Sequence, residues 1–114
     1  MEWKVIITGL VRENLLDIKK YIKYELQLPN AADNLIKRIK DGIDSLNIMP
    51  ERNPLCNKPK WYKRGLRKLI IGKYIVFYVA VVRTREVLVI TVLNGTQDIN
   101  QKLNNIDIPL LPDK

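Results

Sequence analysis

The stretch LRKLIIGKYIVFYVAVVRTREVLVITVL, residues 66–93, decides the fold. It reads as three strands separated by two short turns. Leu66 to Ile71 forms the first, and Gly72-Lys73 is a two-residue turn in which glycine supplies a positive φ. Tyr74 to Val82 is apolar throughout and β-rich, as expected of a central strand buried on both faces. Arg83 to Glu86 turns the chain again, and Val87 to Leu93 is a second central-type strand. Strands this close in sequence pair as an antiparallel meander.

Upstream the period changes from two to that of a helix. WKVII, Trp3 to Ile7, reads as a strand with Trp3, Val5 and Ile7 on one face. Thr8 is placed to cap a helix with the apolar stripe Val11, Leu15, Ile18, Ile22 and Leu26. That helix should stop near Leu26, because Pro29 disfavours helical geometry at Leu28. A second helix begins at about Asn30, with Asn30 as cap and Asp33 three residues on. It carries the stripe Ala32, Leu35, Ile36, Ile39, Ile43 and Leu46. The short link implies an antiparallel helical hairpin. Residues 47–60 hold Pro50, Pro54 and Pro59 and read as an ordered loop. A short helical segment is expected near Asn100–Asn105. Beyond it, the proline-flanked Ile108 to Pro112, with Leu110 and Leu111, either packs on the domain or reaches a partner. The order β-α-α-β-β-β predicts a single α+β domain over 1–114, with a tail from about 99. Its helical hairpin packs on a twisted, mostly antiparallel four-stranded sheet.

Composition narrows the chemistry. The chain has 114 residues, one domain's worth, with 46% hydrophobic and 28% charged residues. Cys56 is the single cysteine and there is no histidine. Intrachain disulfides, Cys-based zinc sites and Ser-His-Asp or Cys-His catalysis are thereby excluded, and no metal or cofactor is expected. The nine apolar residues from Tyr74 are too few for a membrane-spanning helix, and the N-terminus lacks a signal pattern, so a cytoplasmic protein without a membrane partner is expected.

The net charge of +8 is unevenly spread. Residues 51–73 alone carry +7: Arg52, Lys58, Lys60, Lys63, Arg64, Arg67, Lys68 and Lys73 against Glu51. Trp61 and Tyr62 lie in the same window. A basic cluster with aromatics is the footprint expected for a polyanion, so Lys58, Lys60, Trp61, Lys63, Arg64 and Lys73 are candidate nucleic-acid contacts. The alternatives are a solvated basic loop and, for Trp61, a hydrophobic lid over the sheet. Tyr74 and Tyr78 share a strand face and suit packing.

Four pieces together resemble the RelE/ParE superfamily of type II toxin–antitoxin toxins: WKVIIT at the start, YIKYELQLPNAA (Tyr21 to Ala32), MPERNPL (Met49 to Leu55) and GLRKLIIGKYIVFYVAV (Gly65 to Val81). VLNGTQD, from Val92, follows in the expected place. The resemblance covers roughly Trp3 to Lys102. It implies a small toxin neutralised by a cognate antitoxin protein. RelE-like members cut mRNA on the ribosome, whereas ParE-like members inhibit DNA gyrase. Under the first alternative Arg67 and Lys68 hold the scissile phosphate, Glu51 is the base, and Arg52 completes the cluster. Lys68 falls where RelE-like enzymes carry a catalytic lysine, and Arg67 on the family's Gly-Leu-Arg arginine. The sequence departs from RelE-like enzymes at Ile75 and at Asn94 to Gln97, where those enzymes carry arginines.

Overall fold

The computed structural model describes residues 2–106. The expected packing of the segment from Ile108 to Pro112 lies outside them. The chain runs β1 (Lys4–Ile7), α1 (Gly9–Lys20), α2 (Pro29–Asp44), α3 (Pro59–Lys63), β2 (Leu66–Ile71), β3 (Tyr74–Val81), β4 (Glu86–Asn94) and α4 (Ile99–Asn104). The four strands form one sheet in the order β1-β4-β3-β2. β2, β3 and β4 are the antiparallel meander read from the sequence, and Gly72 turns it at φ 58°. β1 joins at the far side, parallel to β4. This is the anticipated α+β fold.

The helical hairpin covers one face. Thr8 caps α1, its hydroxyl accepting from the Val11 amide at 3.4 Å. After Lys20 the helix widens into a π-turn, Tyr21–Glu25, where the Leu26 amide bonds the Tyr21 carbonyl five residues back. Gln27 then takes φ 54° and turns the chain. Two details of the hairpin differ from expectation. Leu26 is 48% exposed, because the wider turn rotates it off the apolar stripe. Asn30 does not cap α2: Pro29 occupies the first helical position, where its missing N–H costs nothing, and Leu28 precedes it.

The sheet is buried on both sides. Toward the hairpin, Trp3, Val11, Leu15, Ile36, Ile39 and Ile43 pack with Val76, Tyr78, Val87 and Val89. On the opposite face Cys56, Trp61, Leu66, Phe77, Val79, Ile90, Leu93 and Leu103 form a second cluster. That side is closed by the short helices α3 and α4. α3 was not expected: its first two residues fall in the loop read over 47–60, and residues 61–63 were assigned to no element. Pro59 at its first position starts it, and Arg64 and Gly65 (φ 74°) end it after five residues.

One irregularity joins the two layers. Phe77 pairs with Thr91 and Tyr78 with Val89, which leaves Ile90 as an extra residue, a β-bulge. The Asn14 side chain on α1 answers it. Its Oδ1 accepts from the Val92 amide at 3.0 Å and from the buried Thr91 hydroxyl at 2.6 Å.

Candidate functional site

The MPERNPL segment passes under the end of the sheet where β2 begins and β3 ends. Three of its carbonyls are held by side chains from those strands. Arg67 Nη1 donates to the Glu51 carbonyl at 2.9 Å and to the Asn53 carbonyl at 2.6 Å. Its Nη2 lies 4.0 Å from the Glu51 carboxylate. The Tyr78 hydroxyl donates to the Pro50 carbonyl at 2.6 Å. The next residues align with β2 itself: the Cys56 amide bonds the Leu66 carbonyl, and the Lys68 amide bonds the Pro54 carbonyl. Arg67 and Tyr78 therefore anchor the loop, and the Pro50 carbonyl held by Tyr78 is a buried acceptor that would otherwise be unpaired.

The four residues expected to act together are divided by the sheet. Arg67 pairs with Tyr78, which faces the helical hairpin, and Lys68 pairs with Phe77, which faces α3 and α4. Successive strand residues leave opposite faces. Glu51 and Arg52 are exposed on the loop, on the Arg67 side. Lys68 instead stands near Cys56. There burial pushes the thiol pKa up, and the lysine charge pulls it partly back. Tyr78 is also raised, first by burial. The Asn53 side chain and the Arg67 and Arg52 charges pull it down. Asn53 Nδ2 itself is buried without a partner in hydrogen-bonding geometry.

The basic residues of the window do not form one patch either. Lys58, Lys60 and Lys63 are exposed around α3, and Arg64 is half-buried at its end. Lys73 sits in the β2–β3 turn, roughly 17 Å away along a six-residue strand. Trp61 is 2% exposed, and its Nε1 donates to Asn100 Oδ1 on α4 at 3.1 Å. Its indole offers no face to a base. Lys60 Nζ and Arg64 Cζ cover the ring at 4.6 and 5.9 Å from its centre, and Lys60 also bonds Asn104. Trp61 is thus the hydrophobic lid, and part of the cationic charge is engaged in sealing it.

A groove of about 550 Å³ opens at the other end of the sheet, between α1 and α4. Asn14, Ile18, Tyr21, Tyr74, Asn94 and Ile106 are among its lining residues. Burial raises the Tyr74 phenol, the neighbouring Tyr21 adds to this, and Asn94 opposes it. The places where RelE-like enzymes carry arginines, Ile75 and Asn94 to Gln97, lie at this end and hold none. Arginines missed by the sequence reading lie instead at the opposite end, in the turn between β3 and β4. Arg83 is exposed there, and Arg85 stacks 5.6 Å from the centre of the Trp3 ring. Their only sequence signal is a turn with no glycine between two apolar strands.

Among the described residues no group of three or more His, Cys, Asp or Glu gathers to hold a metal, and no helix is long and apolar enough to cross a membrane.

The fold has solved relatives. A toxin–antitoxin ParDE complex of P. aeruginosa superimposes with a TM-score of 0.66 at 13% identity, over 82% of this chain and 96% of that one. The RelBE2 toxin–antitoxin complex of Mycobacterium tuberculosis gives 0.61 at 16% identity, over 82% and 99%. A free, doubly arginine-substituted mutant of the E. coli toxin RelE gives 0.61 at 13%, over 90% and 93%. At these identities the likeness is one of fold. No curated protein matches significantly. The model of the ParE toxins of parDE type II toxin–antitoxin systems matches residues 5–99, and with it the chain belongs to that family.

Proposed function

We propose that this toxin arrests growth by binding and blocking an essential enzyme, DNA gyrase in the reading that its ParE family favours, and that it breaks no bond itself. The observation that supports this most is the fate of Arg67. Its Nη1 is taken by the Glu51 and Asn53 carbonyls, its Nη2 faces the Glu51 carboxylate at 4.0 Å, and Lys68 leaves the opposite face of the sheet. Phosphoryl chemistry needs groups converging within hydrogen-bond reach of one phosphate. A loop fixed by its carbonyls is instead a rigid surface for recognition. The partner that restrains it is the cognate antitoxin.

A second reading, cleavage of mRNA on the ribosome with Arg67, Lys68, Glu51 and Arg52 as the catalytic group, draws on the +7 window. Two measurements separate them. Purified toxin should inhibit gyrase supercoiling of a plasmid, and induction should trigger an SOS response with intact mRNA. New mRNA 5′ ends at ribosome-occupied codons within minutes, lost in Arg67→Ala/Lys68→Ala, would instead establish the ribonuclease.

A further inference from the structure

The end of the sheet opposite the groove carries a surface that the family resemblance does not account for. Its parts are tied together by backbone contacts. The Trp3 amide bonds the Asn47 carbonyl at 2.7 Å, and the Lys4 amide bonds the Arg85 carbonyl at 2.9 Å. Arg85 lies over the Trp3 ring, and the Arg52 amide bonds the Met49 carbonyl. Ile48, Met49 and Val82 stand 54%, 65% and 47% exposed along this strip. Arg52, Arg83 and Arg85 flank them, all exposed. None of the three is in an ion pair among the described residues. Carboxylates at this end include Glu51, which leans on Arg67, Glu86 at the start of β4, and Glu2, exposed beside Trp3.

Two of these six residues occupy backbone positions that side chains disfavour. Met49 has φ 50° and Arg85 φ 54°. Glycine or asparagine fits such a turn position with less strain. Strained positions that the surroundings over-determine concentrate at binding surfaces. Here Tyr78 and Arg67 lock the loop that begins at Met49, and β1 locks Arg85.

We infer that the strip of Ile48, Met49, Arg52, Val82, Arg83 and Arg85 is the surface with which the toxin grips an acidic, apolar-centred face of its folded target protein. This rests on the binding reading above. An apolar centre of isoleucine, methionine and valine flanked by arginines matches the make-up of protein interfaces, where methionine and arginine are enriched. A nucleic-acid backbone would leave those apolar side chains without partners. A rigid, strained surface suits a partner that is itself folded, because neither side then spends binding energy on ordering.

The test compares Arg85→Gly and the double variant Val82→Glu/Arg83→Glu, which spares Arg52, with the wild-type toxin. Each is produced with tagged antitoxin for retention and melting, and without it for growth arrest. Arg85→Gly should melt no lower than wild type, since glycine fits φ 54°. It should nevertheless need about tenfold more toxin for equal arrest. The double variant should not arrest growth, yet both should stay bound to antitoxin. Unchanged arrest in the double variant overturns the inference. So does loss of antitoxin retention, which would assign the strip to the antitoxin. A loss of binding to a single-stranded RNA or duplex DNA oligonucleotide that parallels the loss of arrest also overturns it, in favour of a nucleic acid. Failure of the wild type to inhibit gyrase removes gyrase alone, because the arrest comparison still judges the strip. A wild type that arrests nothing overturns both.

Discussion

Tyr78 sits where the core meets the loop: its ring is buried in the hairpin-side cluster while its hydroxyl holds the Pro50 carbonyl. Tyr78→Phe keeps the ring and leaves that acceptor unpaired, so it should cost about 1–3 kcal/mol in a denaturant titration. The same phenol sets an alkaline limit. Burial raises its pKa above the ordinary tyrosine value, against the pull of Asn53, Arg67 and Arg52. The fold thus favours the neutral form. This stabilisation is complete below about pH 10 and is lost as pH climbs from there through the raised folded-state value. Melting temperature should therefore drop across this alkaline range, and less steeply in Tyr78→Phe. At this scale the sequence was only partly legible. The Gly-Leu-Arg arginine was visible, and the sequence left it two roles, holding a phosphate or bridging structurally to Glu51; the structure shows the second. Whether a guanidinium binds a phosphate or two carbonyls of its own backbone depends on where the loop comes to rest. Likewise, the alternation that puts Arg67 and Lys68 on opposite faces follows from reading 66–71 as a strand.

The elements with a clear period were legible almost to the residue, as in β2, the Gly72-Lys73 turn and the apolar face of α2. α3 was not, because five residues cannot show a helical repeat and three prolines mask its start. Yet α3 carries much of the second layer through one side chain. Trp61→Ala should destabilise by about 3–5 kcal/mol, read as a fall in the urea midpoint, because it empties a large buried site and frees Asn100. On the other layer, α2 crosses β2 at Gly42, where an added Cβ would approach Ile71 Cδ1 to 2.5 Å. Gly42→Leu should therefore lose about 1–3 kcal/mol through overpacking, despite the better helix propensity of leucine.

The molecule as a whole has two apolar layers on one sheet, and a tryptophan reports on each. Trp3 belongs to the hairpin side and Trp61 to the side of α3 and α4. Both layers draw on β3 and β4, so the sheet couples their melting. Trp3→Phe and Trp61→Phe, each keeping one fluorophore, should give coincident denaturant midpoints after correction for the substitution itself. Two separated midpoints would mean that α3 and α4 peel away first. The fold class was legible at this scale because a meander and a hairpin leave few arrangements. The charge map was not. A window of sequence counted as one basic cluster is spread over both faces and both ends of the sheet, while Arg83 and Arg85 come to the loop end from outside it.

β1 lies parallel against β4, Lys4 beside Glu86, and the Thr8 hydroxyl bonds the Ile90 carbonyl 82 positions away. The first strand made is therefore completed by the last. At synthesis rates of roughly 5–20 residues per second, the nascent β1 waits roughly 4–16 s for its partner. No shorter chain can close the sheet, so a ribosome that stalls or terminates early releases nothing with a finished toxin surface. The topology thus makes the finished sheet contingent on synthesis through β4, which completes what β1 began.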